Sequence, residues 1–214
     1  MKTFNLFPSL QQGEHLPLIL LFIHAFLNGL ALLFFETTAN TLFLMAYNTS
    51  ELPYVYMITA IVSVAFGFLY GKIEEKFIVK NLLQILISLV LLIIASFYLL
   101  LKFTDSHLSA MGIMVFKDMV TMVMGIEFGI LTSTMFDIRQ GKRLFGLLVS
   151  GEILAGMVGG ICVGSLLEVF TTVDLLLISG SALILSLLVL IHILKRFSQK
   201  FYQSHEGEIG EESE

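Results

Sequence analysis

Charged and amide side chains occur inside stretches of this sequence that are otherwise apolar, and they are the residues that could do chemistry. Glu36 and Asn40 lie one helical turn apart in the first apolar stretch, and Lys117, Asp118 and Glu127 lie in the fourth. Charged groups are costly inside a membrane-spanning helix, and by default they indicate a pathway for a solute, an ion or a proton. These five residues are therefore the candidates for solute binding or proton coupling.

Structural roles compete with that interpretation. His24 and Asn28 could simply hydrogen-bond to adjacent helices, and Glu36 could lie near the outer interface, where a charge costs less. Lys117 and Asp118 point about 100° apart on a helix, so each is expected to pair with another helix, with Glu36 as a counter-ion for Lys117. The whole set could also neutralise itself or sit at the interface.

Sequence motifs for catalysis are absent. There is no HExxH, GxSxG or phosphate-loop pattern, and Cys162 is the only cysteine, which excludes an intrachain disulfide and a thiolate metal site. Cys162 is expected to be a packing residue. We predict no enzyme activity, cofactor, metal or nucleic-acid partner; an intramembrane enzyme would rest only on His24, Glu36 and Glu127.

The polar residues belong to a chain whose main solvent is lipid. Hydrophobic residues make up 57% of its 214 residues, charged residues make up 14%, and the mean hydropathy is +0.91. A spanning helix needs roughly 20 apolar residues. The sequence therefore predicts an all-α, polytopic membrane protein with helices at about 16–38, 52–71, 81–102, 109–135, 144–167 and 173–194.

Basic residues are concentrated on alternate connections. They are Lys72, Lys76, Lys80, Arg139, Lys142, Arg143, Lys195, Arg196 and Lys200, whereas the opposite side has only Lys102 at a helix edge. By the positive-inside rule the basic side faces the cytoplasm. This predicts a cytoplasmic N-terminal segment at 1–15, a six-helix domain at 16–196, and a cytoplasmic tail at 197–214. The last ten residues carry five Glu, which favours a solvated, disordered tail or linker.

Small residues recur every four positions along the fifth predicted helix. One row contains Gly151, Ala155 and Gly159, and a second row contains Gly156, Gly160 and Gly164. Such rows allow helix backbones to approach closely. Both rows are expected to pack against other helices.

The segment from Phe136 to Gly160, which includes Asp-Ile-Arg-Gln-Gly-Lys-Arg, resembles the stretch that joins the fourth and fifth helices of the ATP/ADP translocase family. These are bacterial and plastid nucleotide transporters related to the major facilitator superfamily. Gly13-Glu14, the run 38–44 and Leu52-Pro53-Tyr54 extend the likeness to about residues 10–196. It is closest to a bacterial branch often fused to helical repeats or cyclic-nucleotide-binding domains.

The resemblance implies a major-facilitator-like half bundle in a bacterial inner membrane, which would require a second six-helix half or a homodimer. It places Lys142 and Arg143, with Arg139 nearby, at a cytoplasmic gate. Nucleotide exchangers of this family have a basic residue where this chain has Ala39 and an acidic one where it has Lys117. The expected activity is transport of a polar or anionic solute, with nucleotides among the candidates. The alternative is a non-transporting membrane anchor or sensor module of a larger protein.

Overall fold

The computed structural model describes residues 14–74, 77–104 and 107–201, and in these ranges all regular secondary structure is helical. The long helices are α1 (His15–Ala46), α2 (Leu52–Glu74), α3 (Val79–Phe103), α4 (His107–Met135), α5 (Ile138–Leu167) and α6 (Leu175–Arg196), with short 3₁₀ turns at Thr49–Glu51 and Thr172–Asp174. The predicted all-α class is confirmed.

Two helices, α1 and α5, extend well beyond their predicted ranges. α1 continues past residue 38 to Ala46, since the run that follows contains neither glycine nor proline. α5 begins at Ile138 rather than at 144, directly after Asp137, whose backbone N–H donates to Gln140 Oε1 at 3.2 Å. A polar side chain that satisfies a free backbone group at a helix start allows the helix to begin before its apolar segment.

Five of these helices, α1, α2, α3, α5 and α6, are long and apolar enough to cross a membrane. They indicate a multi-pass membrane protein. The remaining helix, α4, is 29 residues long but carries Lys117, Asp118 and Glu127 close together. Its placement in the bundle therefore depends on where those three side chains point.

The helices pack in two layers. α1 packs against α4, α5 and α6, α3 packs against α4 and α6, and α2 packs against α4. The front layer therefore has the order α5, α1, α4, α2, and α6 and α3 lie behind it. Side chains such as Leu21, Phe35, Ile87, Ile113 and Leu183 fill the space between the layers and are fully buried.

The first small-residue row of α5 lies against α1. A Cβ atom on Gly151 would stand 2.8 Å from the carbonyl oxygen of Phe22, so Gly151 packs closely. Gly156, Gly160 and Gly164 were predicted to pack as well, but a Cβ on any of them would meet nothing within 4 Å. Among the described residues nothing packs on that row, and its packing stays a prediction about a further partner.

Cys162 also corrects an expectation. Its side chain is exposed on α5 and is not a packing residue within the chain. The cause is the position of α5 at the edge of the front layer, where α1 is its main neighbour.

Both ends of the described chain lie at the same end of the bundle. Glu14 pairs with Arg143 near the start of α5, and Lys200 Nζ donates to the carbonyl of Met135 at the end of α4 at 2.7 Å. Phe201 is buried, so the predicted tail packs on the bundle at least as far as this residue. Residues 1–13 and 202–214, with the predicted disorder of the tail, lie outside the described residues, as does Lys76.

Candidate functional site

A polar cluster lies in the interior of the bundle, where α1, α4 and α6 meet. It consists of His24, Asn28, Glu127 and Ser186, and we call it the buried cluster. His24, Glu127 and Ser186 are 0% exposed, and Asn28 is 6% exposed. His24 Nε2 is 3.1 Å from each carboxylate oxygen of Glu127. The carboxylate on α4 is thus held by an imidazole on α1.

The other two members complete the hydrogen bonding. Asn28 Nδ2 donates to Glu127 Oε2 at 3.3 Å. Ser186 Oγ is 2.9 Å from His24 Nδ1 and donates to Asn28 Oδ1 in a short hydrogen bond. Every side-chain nitrogen and oxygen of the cluster has a partner, as buried polar groups require.

The arrangement follows from the sequence. His24 and Asn28 are one turn apart on α1 and share a face, and Glu127 lies on the side of α4 away from its exposed residues Thr121, Gly125 and Gly129. Burying a carboxylate is costly unless it is paired and hydrogen-bonded. The cluster therefore connects three helices. Replacing any one member by an apolar side chain would leave its buried partners without a hydrogen bond.

A second polar group lies on the front of α1 and α4. Its members are Glu36, Asn40, Lys117, Asp118 and Thr121, and we call it the polar face. Thr121 Oγ1 donates to Glu36 Oε1 at 3.0 Å. Glu36, Asn40, Lys117 and Asp118 are partly buried, while Thr121 is exposed. The register of the two helices thus places four of the five predicted site residues on this face, and the fifth, Glu127, belongs to the buried cluster.

The predicted pairing of the charges was wrong. Lys117 Nζ is 3.3 Å from Asp118 Oδ1 on the same helix, although adjacent residues point about 100° apart. The long, flexible lysine side chain bridges that angle. Glu36 accepts from Thr121 instead of serving as the counter-ion of Lys117.

The two groups lie at different depths. α1 and α4 are antiparallel, since Asn28 contacts Glu127 whereas Glu36 contacts Thr121. The eight residues from Asn28 to Glu36 correspond to about 12 Å along the helix axis. The polar face therefore lies nearer the end of the bundle where α1 ends and α4 begins.

Small residues extend the polar face along α4. Gly125 and Gly129 follow Thr121 at intervals of four, and both are exposed with nothing near their Cβ positions. Across α1, the carboxylate of Glu152 on α5 is exposed as well. The front of the bundle thus presents acidic, hydroxyl and glycine positions in the middle of long helices.

The predicted gate residues lie at the end where the chain enters and leaves the bundle. Arg143 donates to Glu14 Oε1 at 2.6 Å, and Gln140 donates to the same oxygen at 2.8 Å. Arg139 and Lys142 are exposed. Arg139 and Arg143 line a hollow of about 640 Å³ at the start of α5. Arg143 and Gln140 of α5 therefore both hold Glu14, which directly precedes α1.

Sequence reasoning missed Ser186 and the contact of His24 with Glu127. A signal was present on α6, where Ser179 and Ser186 are seven residues apart and share a face. Both are fully buried, and Ser179 Oγ donates to the carbonyl of Ala31 at 2.7 Å. Two serines on one face of an apolar helix indicate the side that faces polar groups.

No metal site is formed by these groups. In residues 14–74, 77–104 and 107–201, no group of three or more His, Cys, Asp or Glu side chains could hold a metal ion. The chemistry available to the buried cluster is the binding and release of protons. The polar face can offer hydrogen bonds and charges of both signs to a solute.

Protein-family models, curated proteins and solved structures were all compared with the chain, and none shows significant similarity to it.

Proposed function

We propose that this chain is one half of a membrane transporter that moves a polar or anionic solute by alternating access. The observation that carries the proposal is the polar face, which lies at the front of α1 and α4 and continues along Gly125 and Gly129. Charged and polar groups at membrane depth almost always face protein or a water-filled cavity. The polar face is therefore expected to contact protein or water rather than lipid.

The layer arrangement supports the need for a second half. α6 and α3 cover the back of α1 and α4, but within the described residues nothing covers their front. Transporters built from two repeats hold the substrate near the midplane, between the repeats. A second copy of this chain, or a six-helix partner, would close the polar face into a cavity and would cover Gly156, Gly160 and Gly164.

In this proposal α4 is the sixth spanning helix. Its carboxylate Glu127 faces the protein interior, and Lys117 and Asp118 neutralise each other, which lowers the cost of placing it across the bilayer. The end of the bundle that carries Arg139, Lys142 and the other basic residues faces the cytoplasm. Both termini then lie on the cytoplasmic side of a bacterial inner membrane.

The solute class follows from the charges and from the resemblance to nucleotide translocases. The polar face offers both Lys117 and two carboxylates, which suits a solute that carries polar groups and charge. Ala39, at the position where nucleotide exchangers have a basic residue, is fully buried among apolar side chains. A basic residue is thus absent from that position, and nucleotides are one candidate class beside smaller anions and polar metabolites.

Solute binding tests the proposal with a matched control. Purified protein in nanodiscs is incubated with radiolabelled nucleotides, other anions and simple metabolites, and the double variant K117Q/D118N is compared with K102Q/D174N. The latter removes an ion pair of 3.7 Å on the other side of the bundle. Saturable binding that is lost only in K117Q/D118N supports a solute site at the polar face. Equal binding by both variants counts against it.

A membrane anchor or sensor module is the second candidate. The observation in its favour is that the residues after α6 contact the bundle: Lys200 donates to the last turn of α4 and Phe201 is buried. Contacts of this kind would transmit helix movements to a cytoplasmic domain. Absence of binding for every solute, together with a natural reading frame that continues into a soluble domain, would favour this candidate.

A further inference from the structure

The hydrogen bonds of the buried cluster define where its protons are. Ser186 has one hydroxyl hydrogen, and this hydrogen points to Asn28 Oδ1, which can only accept. Ser186 Oγ must therefore accept from His24 Nδ1, 2.9 Å away. His24 Nε2 is 3.1 Å from each carboxylate oxygen of Glu127 and 3.2 Å from Asn28 Nδ2. Two acceptors at this distance require one hydrogen between them, so the imidazole and the carboxylate share one proton in addition to the hydrogen on Nδ1. With that proton on the ring, His24 is an imidazolium.

The orientation of Asn28 is consistent with this assignment. Its amide nitrogen faces Glu127 Oε2; a flipped amide would place an acceptor oxygen against the carboxylate and a donor nitrogen against Ser186. The flipped form would require a protonated Glu127. The observed orientation fits an ionised carboxylate that accepts from Asn28; the same Nδ2 lies 3.2 Å from His24 Nε2.

The cluster is neutral only while it holds this proton. Loss of one proton would leave a net negative charge in a site that is closed to solvent, and an unpaired charge in such a site is costly. No described acidic or basic side chain apart from Glu127 makes a hydrogen bond or ion pair with His24: α6 offers Ser186, and α5 approaches α1 with the small residues Gly151 and Ala155. Glu152 of α5 lies beside Gly29 and is exposed. The proton can therefore leave only when water reaches the cluster.

We propose that His24 and Glu127 form a proton-binding site that holds one exchangeable proton as an imidazolium while α1, α4 and α6 are together. When α4 parts from α1 and α6, the imidazolium gives this proton to entering water, and the neutral imidazole and the carboxylate are each hydrated. Recapture of a proton restores the neutral cluster and the closed packing. That this proton is the coupling ion of solute movement rests on the proposed function.

Histidine NMR tests the site without any solute. The chain has five histidines, and His15, His107 and His192 are exposed. Protein labelled with ¹⁵N-histidine is placed in lipid, and ring-nitrogen spectra are recorded across roughly pH 5 to 9, the range in which free histidines lose their charge. One ring should be doubly protonated at pH 7, and this signal should be absent from H24Q.

The variant E127Q provides the second readout. With the carboxylate replaced by an amide, the doubly protonated signal of His24 should disappear at neutral pH, because nothing then stabilises the cation. The wild-type spectrum alone decides the matter if the variants do not fold. A neutral His24 ring at pH 7 in wild-type protein, or an imidazolium signal that persists in E127Q, would overturn the proposal.

A separate arm distinguishes this site from the proposed function. Proteoliposomes are loaded with a solute that binds in the nanodisc assay, and uptake is compared with and without an imposed pH gradient. Uptake driven by the gradient in wild type but not in E127Q supports the coupling role. Uptake that ignores the gradient, with the NMR signature intact, would overturn the coupling role and leave the proton site in place.

Discussion

Gly29 of α1 and Ala155 of α5 set the distance between these helices: a Cβ atom on Gly29 would stand 2.9 Å from the Cβ of Ala155 and equally close to the backbone of Glu152. Real side chains do not approach this closely, so the contact depends on the absence of a methyl group. α5 packs mainly against α1. Its attachment to the bundle is therefore sensitive to a single added carbon.

We expect G29A to lower the free energy of unfolding by about 1–3 kcal/mol, the usual cost of overpacking. The matched control is G156A, because a Cβ there meets nothing; it should be neutral or should gain up to about 1 kcal/mol from helix propensity. Thermal unfolding of both variants in the same detergent provides the comparison. Equal stability of G29A and G156A would contradict the close α1–α5 contact.

Removal of either partner of the buried ion pair should be strongly destabilising. H24Q leaves a buried carboxylate without its cation, and E127Q leaves a buried imidazole without its anion; breaking a buried pair in this way costs about 3–5 kcal/mol. The double variant H24Q/E127Q has no charge to bury and should be more stable than H24Q. Denaturation of all three variants measures these differences, and a double variant whose loss equals the sum of the single losses would show that the two side chains do not interact.

The contact between Glu14 and Arg143 is expected to hold the start of α1 against the start of α5. Both hydrogen bonds to the carboxylate come from Arg143 Nη2, and a lysine side chain ends one bond short of that atom. R143K should cost about 1–2 kcal/mol, a value at the lower end for charged hydrogen bonds because the arginine is 30% exposed. K142Q, at an exposed neighbour, should be neutral. Thermal unfolding of both variants in the same detergent measures the difference, and equal stability would argue against this contact.

Assembly should depend on the second glycine row. In the proposed transporter Gly160 packs against another copy or partner, so G160L should prevent assembly in the membrane without reducing the stability of the six-helix unit. G146L is the matched control, since Gly146 is on the same helix and also faces open space. Native mass spectrometry from lipid gives the oligomeric state. Unchanged assembly in G160L would place the interface elsewhere.

Much of the fold could be predicted because lipid leaves few choices. Apolar runs of about 20 residues and alternating basic loops give the helices and the common end of the two termini. The boundaries were harder to predict because they depend on local contacts such as that of Asp137 with Gln140. These contacts leave little trace in hydropathy.

The residues of the candidate site could be predicted from the sequence, but their contacts could not. Antiparallel packing of α1 and α4 brings Glu36, Asn40, Lys117 and Asp118 to a similar level, and Glu36 contacts Thr121 of α4. Their pairing depends on rotamers, which spacing does not determine. The contact of Glu127 with His24 depends on the rotation of α4 about its own axis, and this rotation is set by the packing of three helices rather than by any one segment.

The most direct test of the account asks whether the polar face meets water or lipid. In a C162S background, Thr121→Cys and Leu92→Cys are compared for reaction with a membrane-impermeant thiol reagent in native membranes. The two positions lie at similar depth, since Phe97 contacts Phe116 and each position is five residues from that contact. Leu92 is exposed on the back of α3. The account predicts fast labelling at position 121 and none at position 92; equal protection of both positions would mean that the polar face does not line an aqueous cavity.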